Sequence, residues 1–162
     1  MRWTMAMIVG LMLAGSFTLA RERHENRDDN TALEFKTMVG NSGPFIGARN
    51  PIRGINAGGA PWKIAEGQGE LRQDGELEVR VRGLVLAVTG TNPVDQFRAI
   101  VSCLTIDGNG NVAISNVSTG PFPATPTGDA EIEERLELPQ TCFAPLVFVT
   151  SPSGAWFAVT GF

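Results

Sequence analysis

The clearest pattern in the chain is the alternation of polar and apolar residues over 76–82. A period of two puts the apolar side chains on one face of an extended strand and the charged ones on the other. The polar residues just before this segment are typical of a turn that leads back to a strand at 67–72. A two-residue loop would place Leu71 opposite a charged residue, whereas a three-residue loop pairs Leu71 with Leu77. We therefore predict a three-residue hairpin loop that ends at Gly75.

The same rule predicts a second hairpin between residues 97–106 and 112–117. The three-residue loop 108–110, which also ends in glycine, sets Ile106 opposite Val112. Residues 97–106 are apolar on both faces for most of their length. This composition predicts a central strand that is covered on both sides.

A third hairpin is predicted at the C-terminus, where Pro152-Ser153-Gly154 separates two apolar runs. Proline pre-forms the first turn position, and the final glycine can adopt the left-handed backbone conformation. The three-residue loop pairs Val149 with Phe157 and Val147 with Val159.

Two further strands are predicted at residues 33–39 and 130–138, with a short helix as the alternative at 130–138 because Glu134 interrupts its apolar face. Nineteen glycines and ten prolines, scattered between short β-branched runs, indicate many turns. We expect an all-β fold, an antiparallel β-sandwich or partly open barrel of about seven to eight strands.

The N-terminus has the layout of an export signal. Arg2 precedes an uncharged stretch at 3–20, and charged residues follow abruptly. This predicts a cleavable signal-peptide helix at 1–20, with a membrane anchor as the alternative. Residues 21–31 contain almost only charged and polar side chains, including His24, the single histidine, and predict a disordered leader. A single β-sandwich domain then occupies 32–162, in a secreted or extracytoplasmic protein of the periplasm or cell envelope.

The charge balance limits the partners. The chain has a formal net charge of −4 and no basic stripe. This argues against nucleic acid as a partner, and against a membrane once the signal is removed. Small molecules, glycans and proteins are the ligand classes that the sequence leaves open.

Cys103 and Cys142 are the two cysteines, and an even number in an exported protein favours a disulfide between them. The alternative is two separate buried thiols that pack as small apolar residues. Without a nearby histidine, neither a zinc site nor a thiol protease is expected.

The chain has few candidate catalytic residues, because it has no tyrosine and its one histidine lies in the leader. We predict a non-catalytic protein without cofactor or metal. The alternative is a carboxylate-based secreted hydrolase, for which the acidic loop and strand-end residues are Asp95, Asp107, Asp129 and Glu134. Asp107 also begins a segment that partly resembles a calcium loop, but valine and serine occupy positions where such a loop needs glycine and glutamate.

The long segment 40–61 is rich in glycine, proline and asparagine, and loops of this length are often functional. Arg49 and Arg53 lie among its apolar residues, and Trp62 follows at once. These three residues are the candidates for gripping an anionic or sugar-like ligand. The alternative is a loop that caps one open end of the sandwich with its isoleucines and leaves its arginines in water.

Several longer segments resemble bacterial secreted β-rich proteins of unknown function. They are NPIRGINAGGAPW, FRAIVSC, LPQTCFAPLVFVTSP and GAWFAVTG. More locally, GELRQDGELEVRVRGL is similar to the hairpin of CHRD domains, which are extracellular β-sandwich modules. CHRD domains usually follow that hairpin with a histidine pair, where this chain has TNPVDQFRAI. The resemblance therefore implies a fold and an extracellular setting but no functional residue.

Together these features predict an exported, non-catalytic β-sandwich module with a structural or ligand-binding role in the cell envelope or medium.

Overall fold

A computed structural model of the protein describes residues 30–161. The predicted signal peptide (1–20) and nearly all of the predicted leader (21–31) lie outside the described residues; Thr31 already begins the first strand. The described part forms twelve strands, one short 3-10 turn and no α-helix. The strands are β1 Thr31–Phe35, β2 Met38–Gly40, β3 Trp62–Lys63, β4 Glu66–Arg72, β5 Glu76–Arg82, β6 Val85–Leu86, β7 Gln96–Ile106, β8 Val112–Ser118, β9 Phe122–Pro123, β10 Ala130–Arg135, β11 Phe143–Thr150 and β12 Trp156–Thr160.

The strands form two main antiparallel sheets. A four-stranded sheet has the order β1-β4-β5-β10, and a six-stranded sheet has the order β2-β12-β11-β7-β8 with β9 beside β7. β3 and β6 form a small third sheet. The sheets do not close into a barrel, and a common apolar core is shared by strands of both. The predicted all-β sandwich class is confirmed.

The first hairpin has the predicted register. Leu71 pairs with Leu77, and the apolar residues of β5 are at most 3% exposed. Gly75 adopts φ +89°, and a Cβ atom there would collide with the carbonyl of Leu136. Glycine is therefore required at the end of this loop for both conformation and space.

The second hairpin and the central strand are also confirmed. Ile106 pairs with Val112, and β7 lies between β8 and β11. Val101 on its inner face is fully buried, and Ile100 on its outer face is 7% exposed. β7 is thus covered on both sides over residues 99–103, as its sequence predicts, whereas Ile106 at its end is 47% exposed.

The third hairpin has the predicted loop but not the predicted register. Thr150 pairs with Trp156, as a three-residue loop requires, but Val149 then pairs with Ala158 rather than Phe157. Phe157 is the extra residue of a β-bulge. A bulge lets two consecutive side chains face the same side of a sheet, and Phe157 and Ala158 both enter the main core while Trp156 lies on the outer face.

The segment predicted as one strand at 33–39 is two strands in different sheets. β1 belongs to the four-stranded sheet and β2 to the six-stranded sheet, with Lys36 and Thr37 between them. The chain crosses from one sheet to the other at this point because Phe35 and Met38 both enter the shared core.

At 130–138 the strand prediction is confirmed for β10, and the helix alternative is wrong. Glu134, which interrupts the apolar pattern, pairs with Leu77 of β5. Its carboxylate accepts a 2.8 Å hydrogen bond from the Gly120 N–H. This hydrogen bond from a backbone N–H stabilises the half-buried carboxylate, so a glutamate is tolerated at this position of the strand.

Candidate functional site

The segment 40–61, predicted to be either a ligand loop or an end cap, lies across the outer face of the six-stranded sheet. Ile55 and Ala57 pack there against a second apolar cluster that includes Phe148 and Trp156. The Gly58 N–H donates to the Trp156 carbonyl at 2.9 Å. The loop therefore covers a sheet face rather than an open end of the sandwich.

Arg53 anchors this loop to the sheet. Its guanidinium donates to the carbonyl of Ser102 at 2.6 Å and to that of Ala144 at 2.7 Å. The Asn116 side chain donates to the Arg53 carbonyl at 3.1 Å. Burial lowers the pKa of Arg53 from its usual value, and partial removal from water strengthens its charged hydrogen bonds. The cap alternative expected Arg53 to face water. Arg53 is partly exposed, but its guanidinium is bonded to the sheet and holds the loop in place.

Trp62 and Arg49 occupy different environments. Trp62 is 5% exposed and stacks on Phe157 with ring centroids 3.9 Å apart. It belongs to the inner core, whereas Arg53 lies on the outer sheet face and Arg49 is exposed to solvent. The structure does not bring the Trp62 ring to the two arginines. A ligand role for Arg49, Arg53 and Trp62 remains a prediction, and Trp62 and Arg53 have clear structural roles.

Two of the acidic candidates hold turns together. The Asp107 carboxylate accepts the N–H groups of Asn109 at 2.9 Å and Asn111 at 2.8 Å. The Asp129 carboxylate accepts the Gly83 N–H at 2.9 Å. Backbone hydrogen bonds lower the pKa of both groups, whereas a general acid needs a raised pKa. Asp95 is exposed ahead of β7.

The described residues 30–161 contain no group of three or more histidine, cysteine or acidic side chains arranged to hold a metal ion. Asp107 lies in the segment that partly resembles a calcium loop. Its carboxylate accepts hydrogen bonds from the turn of the second hairpin, which agrees with the interpretation of that segment as a hairpin.

A row of four glutamates crosses the outer face of the four-stranded sheet. Glu34 pairs with Glu70, Glu70 with Glu78, and Glu78 with Glu133. A groove of about 260 Å³ lies over the row, with Gly69 in its lining. The sequence places each of these residues on a solvent face, but not beside one another, because the pairing of β1 and β10 with the central hairpin is a long-range contact. Lys36 and Arg80 also line the groove, and Glu34 and Glu70 form ion pairs with Lys36 and Arg72, so the charge of the row is partly neutralised.

The predicted disulfide between Cys103 and Cys142 is present. Their Cα atoms are 4.8 Å apart, and the bond ties the central strand β7 to the segment just before β11. Cys103 is fully buried in the main core. The alternative of two free thiols is therefore wrong, since neither cysteine is free.

Fold and site define the class of protein: an all-β, sandwich-like domain closed by a buried internal disulfide. Comparison with protein-family models, curated proteins and solved structures finds no match for this chain. Within 30–161, no helix is long and apolar enough to cross a membrane.

Proposed function

We propose that the protein is an exported, non-catalytic β-sandwich module with a structural or ligand-binding role in the cell envelope or medium. The observation that carries the proposal is the Cys103–Cys142 disulfide. Disulfides persist in oxidising compartments and are rare in the reducing cytosol of mesophiles. The export-type layout of residues 1–20 supports the same location.

A non-catalytic role is supported by how the candidate acidic groups are used. Asp107, Asp129 and Glu134 each accept backbone hydrogen bonds that hold loops in place. The resemblance to CHRD modules supports an extracellular setting, and it carries no functional residue to this chain.

Export is tested by N-terminal sequencing of the protein from the host's extracytoplasmic fraction, combined with thiol trapping. We expect a mature chain that starts near Arg21 and cysteines that react only after reduction. A protein that keeps Met1 in the membrane fraction, or whose cysteines are free in the cell, contradicts the proposal.

The ligand-binding form of the role is tested with a glycan and small-molecule screen of the exported protein. Arg49 is the suitable position to vary, because it is exposed and makes no contact that holds the fold, whereas Arg53 anchors the loop. A ligand of this loop should bind Arg49→Ala less tightly than wild type, while Lys63→Ala, an exposed cation outside the loop, should bind normally. Equal binding by both variants removes the loop as the site.

A further inference from the structure

One edge of the six-stranded sheet is open. β8 is the last strand in the order of that sheet and pairs only with β7 among the strands of residues 30–161. The Asp107 N–H donates to the Asn111 carbonyl, and the Thr119 N–H to the Ala99 carbonyl. Hydrogen-bonded pairs alternate along an antiparallel ladder. The backbone groups of Val112, Ile114, Asn116 and Ser118 therefore point away from β7, toward the open edge.

The other sheet edges are protected. β10, at one edge of the four-stranded sheet, carries four charged residues in its six positions, and Glu34 lies on β1 at the other edge. β2, at the far edge of the six-stranded sheet, has three residues and packs beside β3. Charges and short strands are the usual means of preventing edge-to-edge pairing. β8 has neither, because its seven residues include no charged side chain.

An apolar surface adjoins this open edge. Two cross-strand rows form it: Phe143, Leu104 and Ile114, then Ile106 and Val112. Val112 is 70% exposed, Phe143 56%, Ile114 51% and Ile106 47%. These fractions correspond to an apolar patch of about 400 Å², a size typical of interaction surfaces on single chains. We call these five residues the β8 patch.

The loop that covers the rest of this face stops short of the β8 patch. Arg53 bonds to the Ser102 carbonyl, and Leu104 is the next residue of β7 on the same face. The covered apolar cluster around Phe148 and Trp156 lies on one side of this anchor, and the β8 patch lies on the other. The exposed apolar side chains thus continue an apolar face for which the described chain has no further cover.

We propose that the β8 edge binds a second copy of this chain, so that two six-stranded sheets join through antiparallel β8 strands and the Val112 and Ile114 side chains of the two β8 patches contact one another. A two-fold axis at Ala113 places Val112 of each copy opposite Ile114 of the other. The interface therefore contains two equivalent pairs of apolar side chains. The outward N–H and C=O groups of Val112 and Ile114 then form four hydrogen bonds between the copies.

Charge does not oppose this approach. The chain has a formal net charge of −4, so a contact between two copies has to avoid placing like charges together. At β8 no charged side chain opposes its equivalent. The carboxylate of Asp107, in the turn between β7 and β8, is bonded to two N–H groups of that turn. Two acidic copies can therefore meet at this edge without like charges in contact.

The contact area sets the expected strength. Edge-to-edge pairing buries the β8 backbones and the facing sides of Val112 and Ile114, whereas the patch residues on β7 and β11 stay on the outer face of the joined sheet. The contact is therefore smaller than the roughly 1,200 Å² in total at which specific interfaces usually begin. The dimer should therefore be concentration-dependent and dissociate on dilution.

The first test uses the wild-type protein as its host processes it. Sedimentation velocity from about 1 μM to 1 mM should show a shift from monomer to dimer. Hydrogen exchange at the two ends of this range should slow at the amides of Val112 and Ile114 and stay unchanged at Ala113, whose N–H already bonds to β7. A protein that is monomeric throughout, or a dimer without added protection at Val112 and Ile114, overturns the proposal and leaves the edge to another partner or none.

The second test compares charged variants. Val112→Lys with Ile114→Lys should weaken dimerisation at least about tenfold, because lysines on an edge strand oppose strand pairing. Val88→Lys is the matched control, since Val88 is 85% exposed and lies outside the patch; it should dimerise like wild type. Far-UV circular dichroism checks that the variants fold. A dimer that survives the double substitution, or is equally weakened by Val88→Lys, contradicts an interface at β8.

Discussion

The Arg53 guanidinium donates a 2.7 Å hydrogen bond to the carbonyl of Ala144, and both residues have an unusual backbone. Arg53 has φ +49° and Ala144 has φ +43°, and no other non-glycine residue of the described chain has a positive φ. Left-handed conformations disfavour side chains with a Cβ atom. The hydrogen bond between these two strained residues thus fixes loop 40–61 to the start of β11.

Replacing Arg53 by alanine should destabilise the fold. Two charged hydrogen bonds to carbonyls are lost, and with Arg53 partly exposed we expect a loss of about 2 kcal/mol in the free energy of unfolding. Chemical denaturation measures it. Arg49→Ala, an exposed arginine in the same loop, should change stability by less than about 0.5 kcal/mol. Equal effects of the two substitutions would show that Arg53 is not an anchor.

Replacing Ala144 by glycine should stabilise the protein slightly. Relief of the left-handed strain exceeds the entropy that glycine loses on folding, for a net gain of about 0.5 kcal/mol. The control is Ala87→Gly at an ordinary backbone conformation, where we expect a loss of similar size. Thermal melts of the two variants should therefore shift in opposite directions. A lower melting temperature for Ala144→Gly would mean that its backbone is not strained.

Removing the disulfide should have the largest effect. Cys103 and Cys142 are 39 residues apart in sequence, and closing a loop of that length stabilises the folded state by about 4 kcal/mol on the chain-entropy model. The double variant Cys103→Ala, Cys142→Ala should show this loss in denaturant titrations. Its stability should not respond to a reducing agent, whereas that of wild type should fall. A double variant as stable as oxidised wild type would contradict the expected contribution.

Neutralising the middle of the glutamate row should stabilise the four-stranded sheet. Glu78 has a glutamate on each neighbouring strand, and like charges directly opposite one another are destabilising. Glu78→Gln should raise the free energy of unfolding by about 0.5 kcal/mol, and the gain should shrink at high salt because salt screens exposed charges. Glu137→Gln, outside the row, should have no such effect. A salt-independent gain would point to another cause.

Asp129 should make stability depend on acid pH. The Gly83 N–H is the main cause of the lowered pKa of its carboxyl in the folded protein. The stabilising effect is therefore complete above the unfolded pKa, about 3.9, and is lost as the pH falls through the lower folded pKa. Melting temperatures between about pH 2 and 7 should fall less steeply at the acid end for Asp129→Asn than for wild type. Asp95→Asn, which removes one negative charge but no contact with Gly83, is the matched control.

The local patterns predicted the hairpins well. Alternation in β5 and glycine-ended loops are sufficient for the register of the first two hairpins, because a short loop leaves few ways to pair its strands. The third hairpin departs from this rule because Phe157 and Ala158 both pack into the core. That choice depends on residues from other strands, which the local sequence does not contain.

The candidate site was harder to predict. Arg53 is visible in the sequence as a cation in a long loop, but its partners Ser102 and Ala144 are 49 and 91 residues away. Trp62 follows the same loop, yet it enters the core beside Phe157. No local pattern shows whether a loop side chain turns toward water or toward the interior.

The sequence by itself determined the all-β class, the turn positions and the pairing of cysteines, because side-chain periodicity, glycine conformation and an even cysteine number act locally or through composition. Only the tertiary structure decided which strands lie at the edges. It aligned Glu34, Glu70, Glu78 and Glu133 in one row and left β8 with an open edge. These features arise from strands distant in sequence, whose order is set by how both sheets bury their apolar faces together.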